Sequence, residues 1–395
     1  MTYIFYIKKI IQKYLSYIIL SLLLLSNSIA FVSSGRILYT SALAIIGLYS
    51  ILNNRNSTPK AGYIGFIVIC FISCLINNVW DIRLFIFSLI LIALTPITNS
   101  YKIFHFREKI LFTFLMIFPF ISIAALYCYF AGINMGTNHE DGSFHDFSAF
   151  FTISISLATA VGISNVVIGW LLLNSSKKFF KIFFIILLCL SIFISVVAAS
   201  RAALVSSSIT LVFLIIILTQ NIKQMIFRLF VIVALGIITI PLYLPYTERI
   251  QEKFEAGKGK EYGSRTMIWQ PSIEAFKKSP LFGYGFAVSY TDHGKKVGRV
   301  ETGSGWMSIL FQTGILGAIC FLYILKNLTH TFHYLKKDQQ LLLFFSVFIY
   351  MCFHSLFEGY ILTSMVYMSF LFWTLLGYLN TYPKYAKYKI TKVPN

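Results

Sequence analysis

Two arginines, two further acid-base groups and one carboxylate are the residues with the most chemical potential in this chain, because each stands where an apolar surrounding makes its charge costly. Arg201 interrupts two apolar runs, LCLSIFISVVAAS and AALVSSSITLVFLIIIL. A guanidinium there needs water, a carboxylate or an anionic ligand. Its neighbours Ala198, Ala199, Ser200, Ala202 and Ala203 are small, which leaves room for a ligand beside the planar fork of donors. The alternative reading is a topological arginine that snorkels to the interface. Arg265 has a parallel setting at the head of a helical stretch, where backbone N–H groups also favour anions. Two guanidiniums and a helix dipole suit a diphosphate. His293 and Glu301 are the candidates for general base, and Glu301 is the better placed, five residues before Trp306. Glu358, in FHSLFEGYILTSM, is either a structural partner for an arginine or part of a site. His354 shares its face if the helix runs on.

The elements that must hold these groups are membrane helices. The 395 residues are 57% hydrophobic and 12% charged, and apolar windows near twenty residues recur throughout, enough to cross a hydrocarbon core of roughly 30 Å. The runs are continuous rather than alternating, which excludes a β-barrel. The spacing predicts about twelve spans, near 15–33, 37–52, 61–77, 83–98, 110–131, 149–172, 182–199, 202–219, 229–245, 306–325, 339–357 and 360–380. The expected fold is an all-α polytopic membrane protein, one domain over 1–395 with a long loop, 246–305, inserted between the ninth and tenth spans.

Basic residues test the orientation. With the N-terminus in the cytoplasm, the cytoplasmic segments hold 20 of the 33 Lys and Arg, the long loop ten, and the short external segments only Arg36, Arg83 and Arg201. Both termini are expected to be cytoplasmic and the long loop external. The net charge of +19 thus reflects topology and contact with anionic membrane lipids, and no nucleic-acid partner is expected. The first apolar run lacks a small-residue cleavage site and is expected to remain as the first helix. All six cysteines fall inside expected spans without metal-ligand spacing, as packing residues do. An external loop holds His139, Glu140, Asp141, His145 and Asp146. Such a group can hold a metal, but acidic residues are also tolerated where basic ones are scarce, and neither metal nor cofactor is expected.

Within the long loop, TERIQEKFEA from Thr247 has the spacing of an interfacial helix. A second helical stretch from Ser264 carries Trp269 and stops at Ser279-Pro280, followed by the turn-rich Gly283-Tyr284-Gly285.

Three segments, SRAALVSS from Ser200, SRTMIWQPSIEAFKKSPLFGYGFA from Ser264 and GWMSILFQTGILGAI from Gly305, together resemble the O-antigen ligase/polymerase superfamily of bacterial envelope glycan enzymes, whose helical architecture is GT-C-like. The resemblance covers roughly 200–320. It implies a metal-independent glycosyl transfer at the periplasmic face of the inner membrane, with an undecaprenyl-diphosphate-linked glycan as donor. Arg201 and Arg265 would hold the diphosphate, Glu301 or His293 would activate the acceptor hydroxyl, and Trp269, Tyr284 and Glu358 would support the site. Lipid A-core ligases resemble one another in a His-Asn pair eleven residues before the first Gly of the G-I-L-G helix, and counting back from Gly314 reaches Gly303 and Ser304. The missing histidine favours a polymerase of repeat units, for which a chain-length regulator is a further expected partner. EGYILTSMVYMSFLFWTLLGYL also looks like the end of polysaccharide polymerases. Ligase of the same fold is the alternative. A glycan flippase or transporter is the alternative of another class, but it predicts internal repeats and ionisable groups at mid-membrane.

Overall fold

The computed structural model describes residues 14–23, 25–26, 34–54, 61–135, 147–151, 154–219, 221–226, 228, 230, 255, 266–286, 289–290, 296–297, 303–363 and 366–390. Helices dominate: α1 Tyr14–Leu23, α2 Gly35–Asn53, α3 Ala61–Ile76, α4 Ile82–Leu94, α5 Tyr101–Phe130, α6 Ser154–Asn174, α7 Lys178–Val197, α8 Arg201–Leu218, α9 Thr266–Lys278, α10 Gly305–Lys326, α11 Thr329–Phe332, α12 Gln339–His354 and α13 Tyr367–Ile390. Between α9 and α10 a two-residue antiparallel pair, β1 Ser289–Tyr290 and β2 Lys296–Val297, closes a hairpin.

Among the described residues, five stretches are long and apolar enough to cross a membrane: α5, α6, α7, α8 and the run Gly305–Phe332. On α7 the apolar side chains of Phe179, Ile182, Phe183 and Ile186 point outward. Water would not favour such a surface, and lipid does. The architecture is that of a helical polytopic membrane protein. The expected ninth span and the interfacial helix from Thr247 lie outside the described residues apart from isolated positions.

Three expected spans differ in extent. The fifth begins at Tyr101 rather than 110 and runs thirty residues, about 45 Å at the helical rise. The polar residues that made 101–109 read as a loop find partners inside the fold. His105 bonds Tyr101 Oη (2.8 Å) and Glu108 (2.9 Å), and Tyr378 Oη donates to Glu108 at 3.1 Å. The twelfth begins at Tyr367 and extends to Ile390, because Tyr382 and Tyr385 pack on Tyr334 and Phe104. The tenth is broken at Gly314, with consequences for the site.

The chain divides into two compact units, each assembled from separated segments. Unit 1 comprises Met1–Phe114, Met267–Tyr334 and Glu358–Asn395. In it α2 packs on α4, α3 on α10, and α4 on α13, around a ring cluster of Phe66, Phe87, Phe321 and Trp373 with centroids 5.6–6.3 Å apart. A Cβ at Gly377 would strike the Leu94 carbonyl, so this glycine lets α13 close on the end of α4. Arg107, counted by sequence among the cytoplasmic cations, is only 1% exposed. Its Nη2 donates to the carbonyls of Ala93, Thr95 and Thr98 at 2.8–3.0 Å. A cation on the unsatisfied carbonyls of a helix C-terminus is favourable for both hydrogen bonding and the helix dipole.

Unit 2 comprises Leu115–Thr266 and Leu335–Phe357. Its centre is α6, buried continuously from Ser156 to Gly169 by α7, α8 and α12. Small residues let the neighbours approach, as Gly162 does under Tyr350 and Gly169 under Leu211. Polar side chains join the helices: Ser122 to Ser191 at 3.0 Å, Asn165 to Ser195 at 3.3 Å, and Tyr350 Oη to the Thr159 carbonyl at 3.3 Å.

Candidate functional site

The G-I-L-G helix is not a straight crossing. Gly314 has φ 71° and ψ −172°, a region open essentially to glycine alone, and α10 bends there into two arms. Trp306 and Phe321 lie on different arms with ring centroids 5.6 Å apart, whereas fifteen residues of straight helix would separate them by about 22 Å. The second arm runs antiparallel to α3, with Gly62 against Tyr323, Gly65 against Cys320 and Gly317 against Ile69. The expected single span over 306–325 is therefore corrected to an elbow. Gly314, inside the run that the sequence presents as one helix, is the joint.

The P-L-F-G-Y-G turn is wedged into this elbow. In an unbroken helix Ile315 N–H would bond Phe311 and Leu316 N–H would bond Gln312. Those four groups instead pair with the turn. Ile315 donates to the Pro280 carbonyl (2.9 Å) and Leu316 to Leu281 (3.2 Å), while Tyr284 N–H donates to Phe311 (2.9 Å) and Gly285 N–H to Gln312 (3.2 Å). A buried, unpaired backbone group is costly, above all in lipid, so this exchange is what makes the break tolerable. The glycines permit it. A Cβ at Gly314 would meet the Leu281 carbonyl, and one at Gly283, itself at φ 71°, would meet the backbone of Phe311 and Gln312.

The C-terminal end of α3 locks the wedge. Ser73 Oγ donates to the Gln312 carbonyl at 2.7 Å, and Asn77 Nδ2 to the Gly283 carbonyl at 2.9 Å. Phe286 N–H reaches Cys74 Sγ at 3.3 Å, and the Phe286 ring packs 5.0 Å from Phe87. Ser73 and Asn77 carried no signal in the sequence beyond being polar groups near the end of an apolar run.

The remaining candidates fall as follows. Tyr284 is buried in the wedge at 1% exposure. Trp269 lies on α9, which enters the wedge through Phe276 packed 5.7 Å from Phe311. Glu358 is partly exposed, and its carbonyl accepts from Gly305 N–H at 3.0 Å. It is therefore tied to the first residue of α10, which Ser304 caps by accepting from Met307 N–H at 3.4 Å. α12 ends at His354 with Ser355 as its cap, so the four-residue spacing does not put His354 and Glu358 on one helix face. His354 is buried instead, its ring stacked on Tyr350 at 5.3 Å and Nε2 near Thr159 Oγ1 at 3.5 Å. Arg265, His293 and Glu301 lie outside the described residues, as does the acidic loop from His139 to Asp146.

In unit 2, Arg201 is the first residue of α8 and partly exposed. The turn before it is tight, with Ala199 at φ 50° and Ser200 capping the helix by accepting from Ala203 N–H at 3.2 Å. A cation in a first helical turn opposes the macrodipole. Its position therefore does not serve the helix. It does place a guanidinium beside helix N–H groups, where both attract an anion.

Residues 186–322 match the family model described as O-antigen ligase. The matched stretch contains Arg201, α9, the wedged turn and the elbow, and it supports the O-antigen ligase/polymerase superfamily with its broad glycan-transfer chemistry. No curated protein matches the chain.

Proposed function

We propose that this protein is a polymerase of envelope polysaccharide. It joins undecaprenyl-diphosphate-linked repeat units at the periplasmic face of the bacterial inner membrane, without a metal. The observation that carries the reading is the family match over 186–322, whose two loop-proximal segments interlock as turn and elbow. Arg201 and Arg265 hold the donor diphosphate, whose charge grows as the sugar–phosphate bond breaks, so fixed guanidiniums stabilise the transition state more than the ground state. Glu301, with His293 as the other choice, takes the proton of the acceptor hydroxyl. Glu358, tied to the mouth of α10, supports that region. A chain-length regulator is the expected protein partner.

The orientation is part of the same proposal. Within unit 1 the segments expected outside meet one another: Asn77 contacts Gly283, and Gly305 contacts Glu358. The segments expected inside do likewise, since Asn99, Asn327 and Lys384 line one cavity. That grouping is what alternating spans require.

Ligase activity is the second reading, favoured by the description of the matching family. Against it, the ligase-type histidine slot holds Gly303. Lipopolysaccharide from a deletion strain separates the two. A single repeat unit left on the core supports polymerase, and a core with no repeat unit supports ligase.

A further inference from the structure

The other end of unit 1 holds a cavity away from the elbow and its wedge, its wall mostly apolar surface with a few polar side-chain tips. It has a volume of about 160 Å³ and is lined by Asn99, Asn327, His330, Asn380, Thr381, Pro383 and Lys384. That is room for about five waters, or for one phosphate group with its first hydration. The lining comes from three segments far apart in sequence: the α4–α5 connection, the end of α10 with α11, and the end of α13. Sequence reading had assigned these segments to the cytoplasm separately, each on its basic residues.

Lys384 and His330 are both exposed, and Lys384 Nζ lies 5.6 Å from the Tyr385 ring centroid. Asn99 Oδ1 accepts from Tyr385 Oη at 3.1 Å, which leaves the Asn99 amide N–H groups for a ligand. Asn327 commits one N–H to the Tyr323 carbonyl at 3.1 Å and keeps the other. Asn380 gives both of its N–H groups, to Tyr63 Oη at 2.7 Å and to the Ile324 carbonyl at 3.3 Å, so it shapes the wall. Among the described residues neither His330 nor Lys384 is ion-paired, and no carboxylate lines the cavity. Behind the wall lies Arg107. Its Nε and Nη1 have no hydrogen-bond partner among the described residues, and it interacts electrostatically with Tyr63 and Tyr385, the two phenols bonded to cavity amides. Glu108, the nearest carboxylate in sequence, is engaged by His105 and Tyr378. A buried cation without a counter-ion is costly, and an anion in the cavity would offset it.

We propose that this cavity binds a phosphate group, with Lys384 as its cationic contact and His330 and the amides of Asn99 and Asn327 as hydrogen-bond donors. Basic pockets between helices at the cytoplasmic face suit anionic lipid headgroups, and the same chemistry accepts free phosphate. Thermal unfolding of the full-length protein in detergent tests the proposal, with short-chain phosphatidylglycerol, short-chain phosphatidylcholine or inorganic phosphate added. Phosphatidylglycerol should raise the Tm and phosphatidylcholine should not. Lys384→Gln should weaken that protection about tenfold, the worth of one charge-assisted hydrogen bond, while Lys384→Arg keeps most of it. Protection by inorganic phosphate with the same sensitivity to Lys384→Gln would identify free phosphate as the source, and protection by phosphatidylglycerol alone would identify the lipid. Equal protection by phosphatidylcholine, or none from any of the three in the unsubstituted protein, would overturn the proposal. That arm does not depend on any variant folding.

Discussion

The elbow of α10 in unit 1 and the turn before α8 in unit 2 are both helix breaks held in strained backbone, Gly314 at φ 71° and Ala199 at φ 50°. They differ in how their polar groups are satisfied. At the elbow the four backbone groups released by the break are each taken up by the turn from Pro280 to Gly285, and α3 adds two side-chain bonds. The elbow is thus complete without a ligand. The turn before α8 instead places a partly exposed guanidinium in a first helical turn, where its charge opposes the helix dipole. The difference separates scaffold from chemistry: the first break should be read out in stability, the second in activity.

The largest effect should come from Gly314→Val. The backbone conformation alone costs on the order of 1–3 kcal/mol for a residue with a Cβ, and the added atoms meet the Leu281 carbonyl. Folded protein should be lost, measured as monodisperse yield in detergent. Wild-type yield and Tm would show that the elbow is not the joint.

Next is Arg201→Lys, which should cut polymer formation about 10²-fold or more, in the range of a lost transition-state donor, while Tm stays near wild type. A point charge cannot reproduce a bidentate fork. Normal polymer length on a gel would reduce Arg201 to a topological residue, and a large fall in Tm would make it structural.

Glu301→Gln should follow, lowering transfer by about 10²–10⁴-fold with donor binding retained, and His293→Ala should be mild. The reverse pattern in a transfer assay would exchange the two assignments. The smallest effect belongs to Asn77→Ala. Removing one donor from the buried Gly283 carbonyl should cost about 1–3 kcal/mol, seen as a lower Tm with transfer per folded molecule unchanged. A fall in turnover at constant Tm would move the wedge from scaffold into the chemistry.

The parts of the fold governed by long apolar runs were legible in the sequence. α2, α3, α6, α7 and α8 lie close to their expected limits, and α9 stops at the expected Ser279-Pro280. The misreadings share a cause, which is that polarity was taken to mean exposure. Tyr101 to Lys109 look like a loop until Tyr378, 270 positions on, reaches Glu108 and Arg107 folds back onto carbonyls 9–14 residues earlier. Arg107, in the same segment, is buried rather than exposed. At the site, the P-L-F-G-Y-G and G-I-L-G segments were visible as separate signals, but that one is wedged into the other depends on pairing across some thirty residues of loop, which no local periodicity encodes. Ser73 and Asn77 were invisible because their partners are backbone carbonyls, which carry no sequence mark.

The central claim is tested most directly by incubating the purified protein with an undecaprenyl-diphosphate-linked repeat unit and no lipid A-core, then resolving the products by size. The account predicts a ladder of lipid-linked oligomers that disappears with Arg201→Lys. Absence of any oligomer under those conditions, with transfer appearing only when lipid A-core is supplied, would contradict it and make the protein a ligase.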